Sequence, residues 1–330
     1  MPRRKSTLTV VEPESGPLEE AIEHYLEHNA ALRHSPRTLD IYGRTLRGIL
    51  LPFCERERVT SLAELTDRHL DRLGNELLTV GNTFAAGGMR TRPLSPASVH
   101  AYMRGINGFL AWARKRGEEV DPRAKAPLPK LGRRMLDTLE REEIRAMEDA
   151  AVTERDKLII RLFADTGIRL GELLALRASD IVERRKGEWQ LKVRGKGSKE
   201  RFVPLRPSLR MRLSRYAARG RRDATSERIF VSLRARAVSR GGGYPPLTAS
   251  GVQQMVRIVA AQAGVRKEGG VHPHLFRHSF ATHALRSGMN PLQLQQILGH
   301  ETLDMITNVY SHLTPTDAHQ AVMRMLAEED

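Results

Sequence analysis

The sequence predicts a mainly α fold with one small antiparallel β-sheet, arranged as an all-α domain followed by an α+β domain. Three observations carry this. Apolar residues recur at three- and four-residue spacing through residues 17–118, as buried helix faces require. A single stretch, residues 181–205, breaks that period and alternates apolar with polar residues. Between the two regions lies GEEVDPRAKAPLPKLGRR, rich in proline and charge and without periodicity, which reads as a linker. The expected organisation is therefore a loose N-terminus at 1–16, a helical domain at 17–118, a linker at 119–137 and a second domain at 138–330.

From Pro17, the stripe Leu18, Ala21, Ile22, Tyr25 and Leu26 predicts a helix to Ala31. Ser35-Pro36 restarts the chain, since a serine cap followed by proline is a helix-opening pair, and Leu39, Tyr42, Leu46, Ile49 and Leu50 mark the second helix. Its other face carries Arg37, Arg44 and Arg47, which suits phosphates and suits solvent equally. A third helix is expected over Leu65 to Leu78, then a loop at 79–94. The fourth opens at Ser95-Pro96 and buries Val99, Met103, Ile106, Phe109, Leu110 and Trp112.

The second domain begins with helices over Glu140 to Ala151 and Glu154 to Asp165. In TGIRLGELLAL, Thr166-Gly167 ends one helix and the leucines start another, which leaves Arg169 at the junction. Trp189, Leu191 and Val193 alternate with polar residues, a second extended run holds Phe202 and Pro204, and GKGS supplies the turn of a hairpin. That turn presents Lys196 and Lys199; it lacks the spacing of a phosphate-binding P-loop. Residues 206–240 show a weak helical pattern interrupted by IFVSL, and 234–246 reads as a loop. Thr248 caps a helix to Ala263, Pro273 opens one to Ser287, and Asn290-Pro291 opens another. Short helices then hold His300 and Tyr310, and a last one begins at Asp317.

Lys plus Arg number 54 against 39 Asp plus Glu, a net charge of +15 that points to a polyanionic partner, nucleic acid first. The single cysteine, Cys54, excludes a disulfide within the chain and a Cys-rich zinc module, and reads as a small buried side chain in a reducing compartment. No run approaches the ~18 apolar residues of a membrane span, and the N-terminus lacks a secretory apolar core. A cytoplasmic protein without membrane contact is expected.

The chemistry concentrates between His272 and His312, a run that holds six of the twelve histidines. Arg277 stands one helical turn after His274 on the same face. It would repel a cation held by His274, His278 and His300, and no carboxylate accompanies them, so the set suits an anion better than a metal. Arg169, Lys196, His274, Arg277 and His300 can surround a phosphodiester, neutralise its non-bridging oxygens and leave Tyr310 to attack phosphorus. No cofactor is required by that chemistry. His278 and His283 read as packing or hydrogen-bonding residues of the helix, and His272 fits either role.

With TGIRLGELLAL, GKGSKERFVPL, HPHLFRHSFATHAL, LGH at 298–300 and the segment ending in Tyr310, the chain resembles the tyrosine recombinase and phage integrase family, Xer-type recombinases included. The resemblance runs from Pro17 onward. It implies a SAM-like helical core-binding domain followed by a recombinase catalytic domain, and site-specific DNA cleavage and rejoining through a 3′-phosphotyrosine, without metal or ATP. By position it implies that Arg169 and Arg277 clamp the scissile phosphate, that His274 assists proton transfer, and that Lys196 is the general acid. It implies further that His300 hydrogen-bonds the phosphate, Tyr310 is the nucleophile and Glu172 supports the site. Arg37, Arg44, Arg47, Lys199 and Arg201 would contact DNA backbone.

The implied partner is double-stranded DNA with inverted half-sites, bound by a homotetramer spanning two sites, with a second recombinase also compatible. The ten-residue interval from His300 to Tyr310 is one longer than the usual Xer-type pattern. A type IB topoisomerase shares the nucleophile chemistry, and a non-cleaving DNA-binding regulator shares the fold. The first would relax DNA without a specific site; the second would be free to lose Tyr310 or an arginine.

Overall fold

The computed structural model describes residues 17–82, 92–132, 137–195, 200–220, 226–233 and 245–299. The chain divides into two compact units, Met1–Arg133 and Arg134–Asp330, each with its own core.

In the first unit, helices α1 (Pro17–Ala31), α2 (Pro36–Thr45), α3 (Leu51–Glu57), α4 (Asp67–Thr79) and α5 (Pro96–Lys115) enclose Ile22, Leu50, Phe53, Leu73, Met103 and Phe109, all fully buried. Three of them start on side-chain caps. Ser35, Thr66 and Ser95 accept hydrogen bonds from the amides of Thr38, His69 and Ser98, which satisfies donors that the first helical turn leaves free.

The second helix continues past its expected end. α2 passes through one π turn, Leu46–Leu50, into α3, and the whole run closes only at Arg58, which takes a left-handed φ of 58°. Pro52 accounts for the π turn. It has no N–H to offer the carbonyl of Gly48, and the ladder shifts so that the Leu51 amide reaches Leu46 instead. Cys54 lies wholly buried on this run, with burial pushing its thiol up to about 12.

Part of the segment expected as linker belongs to this core. Asn107 donates to the Ala126 carbonyl at 2.9 Å and accepts from the Ala126 amide at 2.8 Å, so one side chain on α5 replaces a strand partner. Ala124 and Ala126 are each 1% exposed, and Arg114 donates to the Asp121 carbonyl at 3.0 Å. Small side chains and a reciprocal amide pair hold this stretch against α5, although it has no helical period.

The second unit comprises α6 (Arg141–Ala150), α7 (Glu154–Thr166), α8 (Leu170–Ala175), strands β1 (Ile181–Arg185), β2 (Glu188–Arg194) and β3 (Glu200–Pro204), then α9 (Pro207–Arg215), α10 (Ala249–Gln262), α11 (Pro273–Arg286) and α12 (Pro291–Leu298). The sheet is antiparallel in the order β1-β2-β3, with Leu191 paired to both Ile181 and Val203. β1 goes beyond the expected hairpin. Its outer residues are Glu183, Arg184 and Arg185, exposed charges that hide the strand from an apolar count, and Arg184 instead lies 4.3 Å from the Phe202 ring centre.

Among the described residues of 206–240, the expected helical pattern is confined to Pro207–Arg215 and Tyr216–Gly220. α9 ends at Arg215 and a π turn closes at Gly220; Ile229, Phe230 and Val231 then form a buried extended stretch bridged to Leu176 and Pro246. β-branched residues packed on both sides favour that conformation.

Helix α11 packs on α7, where Phe163 and Phe276 meet with ring centres 6.0 Å apart and no exposure. The same helix fastens the entry of the unit: the Leu139 amide donates to Ser279 at 2.8 Å, and His283 donates from Nε2 to the Leu139 carbonyl at 2.8 Å. His283 thus bonds outside its own helix. Among the described residues no helix is long and apolar enough to cross a membrane. Phe163→Ala should lower unfolding free energy by about 3–5 kcal/mol, the range for emptying a buried aromatic site, as read from the denaturant midpoint at constant slope.

Candidate active site

The site begins at a turn that only glycine fits. α7 ends at Gly167, with φ of 59° and its amide bonded to the Phe163 carbonyl at 3.0 Å. A Cβ there would stand 2.7 Å from Phe280 and 2.8 Å from Leu298, so the turn and the close approach of α11 and α12 both need hydrogen at that position. The chain leaves the turn with its carbonyl facing α11 and reaches Arg169 two residues later.

Arg169 caps α8 together with Glu172. The Arg169 amide donates to Glu172 Oε2 at 2.7 Å, and its guanidinium Nη1 donates to Oε1 at 3.0 Å. Glu172 is 6% exposed, yet every acceptor direction is in use, because Arg201 donates to both of its oxygens at 2.7 Å. Burial alone would raise this carboxyl; hydrogen bonds from Arg201 and the Arg169 backbone more than offset that and hold it below the ordinary value.

On α11, His272 caps the helix: its Nδ1 accepts from the Leu275 amide at 3.2 Å, which places any ring proton on Nε2. Its open reading resolves to a cap. His274 follows in the first turn, exposed, and Arg277 comes one turn later at 4% exposure. The Arg277 guanidinium donates from Nη1 to the Gly167 carbonyl and from Nη2 to the Leu298 carbonyl, both at 2.7 Å. Burial, then the neighbouring Arg169, push it down to about 9, which leaves it cationic at neutral pH. Loss of water on the side of the ring that faces the protein, then Arg277 and Arg169, push His274 below its ordinary value, so its neutral imidazole dominates at pH 7.

These side chains converge on the end of α12. A helix leaves its last carbonyls without intrahelical donors and carries partial negative charge there. Here Ile297 receives Arg201 Nε at 2.7 Å, Leu298 receives Arg277 at 2.7 Å and Arg169 at 3.4 Å, and Gly299 receives Arg169 Nη2 at 2.9 Å. Gly299 sits at φ of 65°, and a Cβ on it would approach Arg201 Cδ to 3.0 Å. Three guanidinium groups and one carboxylate thus share a few ångströms, a net positive site able to hold an oxyanion.

Of the residues picked out from sequence, the structure brings together Arg169, Glu172, His274 and Arg277. Lys196, Lys199, His300 and Tyr310 lie outside the described residues. Arg201 corrects an expectation. It pairs across the sheet with Val193, on the face that buries Leu191 and Val203, and its five-donor fork is turned inward to Glu172 and Ile297 rather than out to a DNA phosphate. The alternation Arg201, Val203, Leu205 carried that signal.

In the helical unit, Arg47 also departs from its expected role, since a two-pronged pair with Glu23 occupies its guanidinium. Arg44 bonds Asp40 at 3.0 Å one turn back and stays exposed, and Arg37 is exposed beside them. Among the described residues no group of three His, Cys, Asp or Glu side chains is arranged to hold a metal ion.

Residues 137–317 match the family model described as the phage integrase family. The tyrosine recombinase XerC of Stutzerimonas stutzeri (strain A1501) is 30% identical over 308 residues, covering 90% of this chain and 92% of its own. The tyrosine recombinase XerC of Azotobacter vinelandii (strain DJ / ATCC BAA-1303) is 31% identical over 306 residues, covering 88% and 91%. The fold is also that of the XerH site-specific recombinase bound to difH substrate, with a TM-score of 0.63 at 22% identity over 91% of this chain and 83% of that one. A lambda integrase tetramer bound to a Holliday junction aligns with a TM-score of 0.65 at 18% identity, over 90% and 78%. Because the family match spans more than half of the chain and the XerC relatives align along nearly all of it, the chain belongs to the phage integrase family and is a Xer-like tyrosine recombinase, an enzyme of DNA strand breakage and rejoining.

Proposed function

We propose that the chain exchanges strands between DNA duplexes at a specific site through a covalent 3′-phosphotyrosine, using neither metal nor ATP. The observation that carries this is the joining of Arg169 and Arg277 at one carbonyl, Leu298, with a single buried carboxylate and an exposed neutral imidazole beside them. A phosphodiester is the anion that such a pair supports best. Each guanidinium has N–H groups beyond those its carbonyl bonds use, and two cations can neutralise both non-bridging oxygens as charge builds on them.

In this reading the Tyr310 hydroxyl attacks phosphorus and the bond from phosphorus to the 5′ oxygen breaks. His274 assists removal of the tyrosine proton, and Lys196 protonates the departing 5′ oxygen. His300 hydrogen-bonds the phosphoryl group. The DNA keeps its 3′ phosphate on Tyr310 until a 5′ hydroxyl of the partner strand attacks it, whereupon tyrosine leaves and regains a proton. One phosphoester is exchanged for another in each step, so no nucleotide energy is consumed.

The substrate would be duplex DNA with inverted half-sites, bound by four protomers on two sites. The solved lambda integrase tetramer on a Holliday junction supports that assembly by its shared fold. Arg37, Arg44 and Lys199 are the proposed backbone contacts.

A nicked suicide substrate should trap a covalent adduct with the wild-type protein and none with Tyr310→Phe; an equal adduct from both would reject Tyr310 as nucleophile. EDTA should leave the wild-type yield unchanged. Binding should fall linearly in log K against log salt, with a slope of about −0.9 per neutralised phosphate, and Arg37→Ala should make that slope shallower by about one unit. In the free protein, His274 should titrate below 6.5 by NMR. Its neutral form therefore persists as pH falls from 7 to 6.5, and the stability that this lowered value confers, present above 6.5, is lost as pH falls further through the folded-state value.

A further inference from the structure

The Arg201 side chain is spent on the protein itself, and what it touches suggests why. It reaches the two objects that orient the clamp arginines. Its Nη1 and Nη2 grip Glu172, the carboxylate that holds both the backbone amide and the guanidinium of Arg169. Its Nε grips Ile297, whose next two carbonyls, Leu298 and Gly299, are the ones that Arg277 and Arg169 bond. With 11% of its side chain exposed, Gly299 close against its stem and three of its N–H donors bonded to Glu172 and Ile297, Arg201 is committed to the protein among the described residues.

We infer that Arg201 is a positioning residue for the reaction: it ties strand β3 to α8 and α12 so that Arg169 and Arg277 present their free N–H groups to one phosphate. This inference rests on the clamp reading of Arg169 and Arg277. Neither Glu172 nor the α12 terminus fixes the pair alone: Glu172 bonds Arg169 and not Arg277, and the α12 terminus that bonds both is itself held at Ile297 by Arg201. A lysine could supply charge at this point. It could not supply three donors at fixed angles to two different elements.

The test compares wild type, Arg201→Ala and Arg201→Lys in single-turnover cleavage of a suicide substrate, alongside thermal melting and DNA affinity across salt. Both variants should bind DNA with unchanged salt slope, since no phosphate contact is lost, yet cleave about 100-fold more slowly, the scale of a misplaced reacting group. A second substrate carries a methylphosphonate at the scissile position and lacks one anionic oxygen. There the clamp has less charge to neutralise, and the Arg201 deficit should shrink by about tenfold.

A deficit equal on both substrates would mean a general loss of folded protein and would overturn the proposal. So would wild-type cleavage by Arg201→Lys, or a salt slope shallower by one phosphate. Failure of the wild-type protein to form an adduct on either substrate would instead overturn the phosphotyrosine reading, which keeps the two outcomes distinct.

Discussion

The structure of the second unit depends on how positive charge is held at the end of α12. A helix terminus offers carbonyls and partial negative charge, and three arginines from three other elements accept that offer: Arg169 before α8, Arg201 on β3 and Arg277 on α11. Glu172 neutralises one of them from within. Buried like charges would otherwise repel, and a buried ion pair is sustained only when its remaining donors and acceptors are satisfied. Here four hydrogen bonds satisfy the Glu172 carboxylate, and two carbonyl bonds anchor Arg277 while its other N–H groups are left to meet an anion. The result is a site that is rigid and still cationic, which is the condition for stabilising an oxyanion without reorganising at the moment of reaction.

Glycine makes this arrangement possible at two points. Gly167 and Gly299 both take left-handed conformations, and both leave room that a Cβ would fill, one beside Phe280 and Leu298 and the other beside Arg201. The backbone can then bring carbonyls into reach of guanidinium groups at 2.7 to 2.9 Å. Larger residues would push these elements apart and open the site.

The charge of +15 is distributed less simply than its sum suggests. Arg47 is committed to Glu23 and Arg56 to Glu76 in the helical unit, and Arg161 and Arg212 share Glu148 in the second. Such arginines shape the surface of each unit; exposed ones such as Arg37, and Arg44 in its open pair with Asp40, remain for a polyanion. Counting basic residues on a helix face therefore overstates the phosphate contacts it can make, as Arg47 shows.

Local patterns determined the helices and much of the candidate site. Serine and threonine caps, proline at helix starts and three- to four-residue apolar spacing placed the ends of α1, α5, α7 and α10, because those signals act within a few residues of chain. The spacing of His274 and Arg277 likewise put both on one face of α11. Tertiary structure decided the rest. β1 is charged outside and is held by its neighbour's backbone, residues 121–126 are held by one asparagine on α5, and Arg201 turns inward because Glu172, 29 residues earlier, and Ile297, 96 residues later, meet it there. A side chain's type and period are written locally, but whether its charge faces DNA or a carboxylate depends on which distant element folds against it.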